Sequence, residues 1–171
     1  MELAILMSIA AIAGTVWYVY KRQKRTIAIA FEEAGKIAGL PLVILQQGER
    51  SFCFLIDSGS NRSHISTEFL NDIEVKLHKT RMQCCGIEGN YEETGFGMAA
   101  FEVQGIPVLD AFLISNLKSA FEHTKGICGI QIHGILGNTF LCRYNGIIDY
   151  PKHKLIIHNK PIKKSSINES Y

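Results

Sequence analysis

The chain has 171 residues, enough for one ordinary domain and too few for a two-lobed enzyme. Hydrophobic residues make up 47% and charged residues 20%, which excludes a disordered polar chain. Lys21, Arg22, Lys24 and Arg25 cluster; beyond them 14 basic residues face 15 acidic ones, so no basic face for nucleic acid is expected.

Residues 3–20 are an uncharged run of 18, rich in Ala, Ile, Leu and Val. As a helix this run spans roughly 27 Å, the thickness of a bilayer core. Trp17, Tyr18 and Tyr20 stand at its end, where an aromatic belt lies, and the basic cluster follows at once. A cleaved signal peptide would carry its basic residues before the apolar run, where this chain has only Glu2. Residues 1–25 are therefore read as an uncleaved single-pass anchor with a basic collar. The positive-inside rule leaves the rest of the chain cytoplasmic, and so small an anchored chain suits a bacterial inner membrane. Residues 26–40 are Ala-rich and end at Gly39-Leu40-Pro41. They are read as a juxtamembrane linker that either extends the membrane helix or forms a short surface helix.

From Leu42 the pattern changes to strands. Two apolar, β-prone runs flank Gln47-Gly48-Glu49, a hairpin signal. Residues 66–71 suit one short helical turn. Residues 76–115 hold at least three short strands, with glycines 86, 89, 95, 97 and 105 as separators. Residues 130–142 read as a strand and then a helix from Gly137 or Asn138. Residues 144–158 read as a final hairpin turning at Pro151-Lys152-His153. The working domain is thus 41–159, all-β with one short helix, a barrel or a sandwich, and 160–171 is a polar tail. The five cysteines include no CxxC pair, which argues against a disulfide scaffold or a zinc finger; no metal and no cofactor are expected.

The most informative stretch is 52–60, FCFLIDSGS. Asp57 closes an apolar run and enters a turn of small residues. Taken alone, it reads as a carboxylate capping turn amides. The wider context points to chemistry. Leu55-Ile56-Asp57-Ser58-Gly59-Ser60 is followed by Ser63-His64-Ile65-Ser66. About eighty residues later comes Ile135-Leu136-Gly137-Asn138-Thr139-Phe140-Leu141, then Gly146-Ile147-Ile148-Asp149-Tyr150. In this order and spacing, over about 41–158, the chain resembles the retropepsin-like aspartic peptidases, the single-lobed relatives of pepsin.

The resemblance implies a closed acid-protease barrel and, behind the anchor read above, an aspartic endopeptidase acting on proteins or peptides. With one Asp-Ser-Gly per chain, it implies a homodimer whose two copies of Asp57 flank one water on the two-fold axis. Two carboxylates so close share a single proton; the ionised one draws a proton from water, and the protonated one polarises the scissile carbonyl. It further implies that Ser58 binds the partner chain's loop, Gly59 permits the turn, and Ser60 touches the dyad or the substrate backbone. Ile135, Leu136 and Gly137 would pass beneath the active loop. A flap would comprise Cys85, Gly86, Ile87, Glu88, Gly89, Asn90 and Tyr91, with arms reaching Met82 and Thr94. The alternative is a catalytically silent, dimeric peptide-binding module of the same fold. Asp110 and Asp149 lack a Ser/Thr-Gly after them and read as structural. Cys84-Cys85 reads as a free pair, His133 as a strand histidine, and no motif marks a Cys–His hydrolase.

Overall fold

A computed structural model describes residues 25–85 and 91–159, with side chains for 26–83 and 93–158. The anchor read at 3–20 and the tail at 160–171 lie outside the described residues. Among the described residues no helix is long and apolar enough to cross a membrane.

The strands are β1 (Arg25–Ala30), β2 (Leu42–Gln47), β3 (Arg50–Ile56), β4 (Ser63–Ser66), β5 (Lys76–Leu77) and β6 (Met82–Cys85). They continue with β7 (Tyr91–Val103), β8 (Ile106–Ser115), β9 (Gly134–Leu136), β10 (Ile147–Asp149) and β11 (Lys154–Asn159). The helices are α1 (Glu33–Ile37), α2 (Lys118–Cys128) and α3 (Asn138–Arg143), and Thr67–Phe69 is a single 3-10 turn. The larger sheet has eight strands, ordered β2-β3-β9-β4-β8-β7-β5, with β6 on the far end of β7. The smaller sheet is β1-β11-β10.

The alternation of β2 and β3 explains their pairing. Val43, Leu45, Phe52, Phe54 and Ile56 all point into one core, and Gly48 turns the hairpin at φ 61°. Phe54, Phe101 and Phe112 pack there at centroid distances of 5.2–5.9 Å, near-edge or tilted, as aromatic quadrupoles prefer. The β7–β8 hairpin turns at Gln104 and Gly105, both at positive φ, the signature of a tight two-residue turn. A smaller apolar cluster of Leu42, Cys53, Phe121 and Ile132 seats α2 on the other face of β3.

The structure differs from the sequence reading in four places. The larger sheet curls until β2 touches β7, but only one residue pair, Gln46 with Glu102, bridges them, so no continuous ladder closes a barrel. Residues assigned to the linker are packed structure: β1 pairs with β11 over six positions, and Ile27, Ile29 and Phe31 are buried. Glycines 95 and 97 do not separate strands but lie inside β7. At Gly97 an added Cβ would stand 2.6 Å from Val75 and 2.8 Å from the Lys76 carbonyl, so the glycine admits β5. Finally, among the described residues the domain read with one short helix has two, α2 and α3. The longest, α2, has only Phe121 buried, too sparse an apolar stripe to read as helical. Gly129, at φ 71°, stops it.

Candidate active site

Asp57 follows the last residue of β3. Its backbone is fixed from the neighbouring strand: β3 and β9 run parallel, Ile56 beside Leu136, and the Asp57 N–H donates to the Leu136 carbonyl at 3.0 Å. The chain then turns sharply. The Gly59 N–H donates to Asp57 Oδ1 at 2.8 Å, and the Ser60 N–H to the Asp57 carbonyl at 3.2 Å. This turn is the amide cap that Asp57 alone would suggest. It uses one carboxylate oxygen; among the described residues no hydrogen bond reaches Oδ2. Asp57 is half-buried, while Ser58 and Gly59 are exposed. The Ser58 hydroxyl makes no hydrogen bond among the described residues.

The expected partner element lies directly beneath. The Asn138 N–H donates to the Ser60 carbonyl at 2.8 Å, and the Ser60 hydroxyl donates to the Arg62 carbonyl at 2.8 Å. Gly137 is buried under this loop. An added Cβ would lie 2.1 Å from the Arg62 carbonyl oxygen and 2.9 Å from that of Ser60. Glycine is therefore required by close backbone approach; its φ of −91° is open to any residue. The structure thus brings together Asp57, Ser58, Gly59, Ser60, Leu136 and Gly137. Ile135 lies one strand position back, between Leu55 of β3 and His64 of β4.

His64 is a titratable neighbour of this site. Its Nδ1 shares a 2.9 Å hydrogen bond with the Ser115 hydroxyl. Burial pushes its pKa below the ordinary value of 6.5, and the Asp57 carboxylate pulls it back up. His133 is also lowered, first by burial, and its Nδ1 accepts a 3.0 Å bond from the Cys53 backbone N–H. The Cys53 thiol is pushed up to about 12, first by burial and then by Glu32 and Cys128. An imidazole that bonds the cysteine backbone, beside a thiol this unwilling to ionise, is no Cys–His hydrolase.

Of the proposed flap, Gly86, Ile87, Glu88, Gly89 and Asn90 lie outside the described residues, and Tyr91 opens β7. Its two arms are present: Met82 pairs with Thr94 and Cys85 with Tyr91, beyond the stretch where β7 pairs with β8. The Thr94 hydroxyl ties the base of this hairpin to the Ile114 carbonyl. Asp149 serves the final turn, where its Oδ1 accepts the Lys152 N–H at 3.0 Å and its Oδ2 pairs with the Lys152 ammonium at 3.4 Å. Among the described residues no cluster of histidine, cysteine and acidic side chains could hold a metal ion.

Beside Ser58 an open groove of about 510 Å³ runs toward β10, lined by Asn138, Leu141, Cys142, Asn145, Gly146 and Ile148. The sequence reading did not anticipate it. Nor did it anticipate the buried polar group of Ser63, Asp110 and Arg143, whose members lie 33 to 80 positions apart and meet only through the fold.

No protein-family model and no curated protein matches the chain. Solved structures do. A retropepsin-like aspartic protease from Rickettsia conorii is similar at a TM-score of 0.51 and 16% identity, over 82% of this chain and 95% of that one. The protease of EIAV, complexed with the inhibitor HBY-793, is similar at 0.42 and 18%, over 60% and 86%. The retroviral protease-like domain of Ddi1 from Leishmania major is similar at 0.42 and 16%, over 72% and 94%. The fold of this chain is therefore retropepsin-like, as the Rickettsia structure shows.

Proposed function

We propose that the protein is an aspartic endopeptidase assembled as a homodimer, with Asp57 from each copy forming the catalytic dyad. The observation that carries this reading is the seating of Asp57. A carboxylate stands at the end of a buried strand, clamped by Leu136, Gly59 and the Gly137 crossing, with its second oxygen open. In the assembled site one Asp57 removes a proton from water as that water attacks the scissile carbonyl. The other donates its proton to the carbonyl oxygen, and the pair returns a proton to the leaving amine.

Two features of the surface support the second copy. The exposed Ser58 hydroxyl, without a bond among the described residues, borders the open groove of about 510 Å³. Among the described residues β10 has a free edge, and Ile147 within it and Tyr150 just after it are more than half exposed. The β6–β7 hairpin serves as the flap over the bound peptide. Residues 3–20 anchor the protein in a membrane with the peptidase domain on the cytoplasmic side, which concentrates protomers in two dimensions and favours the dimer.

The test is cleavage of a mixed peptide library by the full chain, with new termini read by mass spectrometry. Cutting by the wild type and none by Asp57→Asn is the expected result. If a covalently fused dimer of the wild type binds peptides and cuts none, the silent peptide-binding module takes its place.

A further inference from the structure

Asp110 is 1% exposed, the one carboxylate so buried among the described residues. It stands mid-strand in β8, between apolar neighbours, where a leucine would pack without desolvation cost. Burial raises its pKa above the ordinary 3.8, against the opposing pull of Ser63, Arg143, the Ala111 N–H and Arg62. A carboxylate held where its charge is disfavoured does not earn its place by stabilising the fold.

Its contacts lead to the active loop. The Ser63 hydroxyl donates to Asp110 Oδ2 at 2.7 Å, and Arg143 Nε lies 3.4 Å from Oδ1. The same Ser63 oxygen accepts the Gly137 N–H at 3.1 Å. A hydroxyl has one proton. With that proton directed to Asp110, its lone pairs face Gly137. Gly137 is the residue that passes under Arg62 with no room for a Cβ, and the next amide, Asn138 N–H, holds the Ser60 carbonyl.

The geometry points to Asp110 as a positioning residue: through Ser63 it orients the Gly137 amide and so holds the Asp57 loop in its productive conformation. This rests on the peptidase reading, and it is an assignment the sequence did not suggest. The role needs an acceptor at position 110, not a charge. Arg143 is about a third exposed, so water can serve its guanidinium when the charge is removed.

The experiment compares wild type, Asp110→Leu, Asp110→Asn and Ser63→Ala in the full chain. It reads kcat and KM on a cleaved peptide, Tm, and hydrogen exchange at the Gly137 and Asn138 amides. Asp110→Leu and Ser63→Ala are expected to lose at least about tenfold in kcat with KM nearly unchanged, and to exchange the Gly137 amide at least about tenfold faster. Asp110→Asn, which still offers Ser63 an acceptor, is expected to recover to within about threefold of wild type in both. Tm should be no lower than wild type in Asp110→Asn. If the leucine variant does not fold, Ser63→Ala against Asp110→Asn makes the same comparison. Asparagine no better than leucine or alanine, or kcat losses that simply track Tm, overturns the assignment. If the wild type cuts no peptide, the peptidase reading fails by itself; exchange at Gly137 then decides the network, and an unchanged rate in Ser63→Ala overturns it.

Discussion

In the larger sheet β9 is bonded on both sides, by β3 and by β4, and the backbone at its end is held again by the Asp57 loop. In the smaller sheet, among the described residues, β10 is bonded on one side only, by β11, and Ile147 is 53% exposed. The two strands are equally short, and each carries two aliphatic residues. The difference lies in what each was built against. The loop beneath Asp57 is completed within one chain, down to an approach that leaves no space for a methyl group. Among the described residues the edge beside the Ser58 groove is left unpaired, as the proposed second copy would require.

Substitutions at the two regions should therefore fail in different ways. Gly137→Ala should cost about 4 kcal/mol or prevent folding, because a Cβ would meet a backbone oxygen at 2.1 Å that cannot step aside. Denaturant titration checks this; a midpoint near that of wild type would mean the crossing is looser than described. Ile147→Lys should leave the monomer fold and Tm intact and weaken dimerisation at least about tenfold, as charged residues on an edge do. Sedimentation at several concentrations reads it directly, and an unchanged dimer would place the interface elsewhere.

A smaller effect sharpens the same contrast through pH. His64 and His133 are both held below their ordinary 6.5 by burial in and around the larger sheet. The unfolded chain takes up their protons first. The stability they contribute is complete above about pH 6.5 and is lost as pH falls through that value toward their lowered values. Asp110, with its pKa raised, works in the opposite sense, between its raised value and the ordinary 3.8. His133→Asn keeps an acceptor for the Cys53 N–H and should flatten the fall in Tm between about pH 7 and 5. An undiminished slope would remove His133 from this account.

Much of the site was legible in the sequence because its parts are local. Asp57-Ser58-Gly59 encodes its own turn, and Gly137 follows an apolar pair into a helix, so strand, turn and helix start could be placed from neighbours alone. The hairpins at Gln47-Gly48-Glu49 and at Pro151-Lys152-His153 were legible for the same reason. What escaped depends on distance. β1 was hidden because its partner β11 lies more than 120 residues away. Asp110 looked like an idle acid in VLDAF because its partners Ser63 and Arg143 come from other elements. α2 escaped because a single buried phenylalanine marks no periodicity. Gly97 misled because a glycine that admits a crossing strand looks the same in sequence as one that ends a strand.

The central claim is a dyad shared between two copies, and mixing tests it most directly. Wild type and Asp57→Asn, unfolded together in equal amounts and refolded, should distribute randomly into dimers. If each active site needs both carboxylates, only wild-type pairs cut, and peptide cleavage per total wild-type chain should fall to about half that of wild type refolded alone. Cleavage per wild-type chain that is unchanged by the variant would mean that one Asp57 suffices, and would contradict the shared dyad.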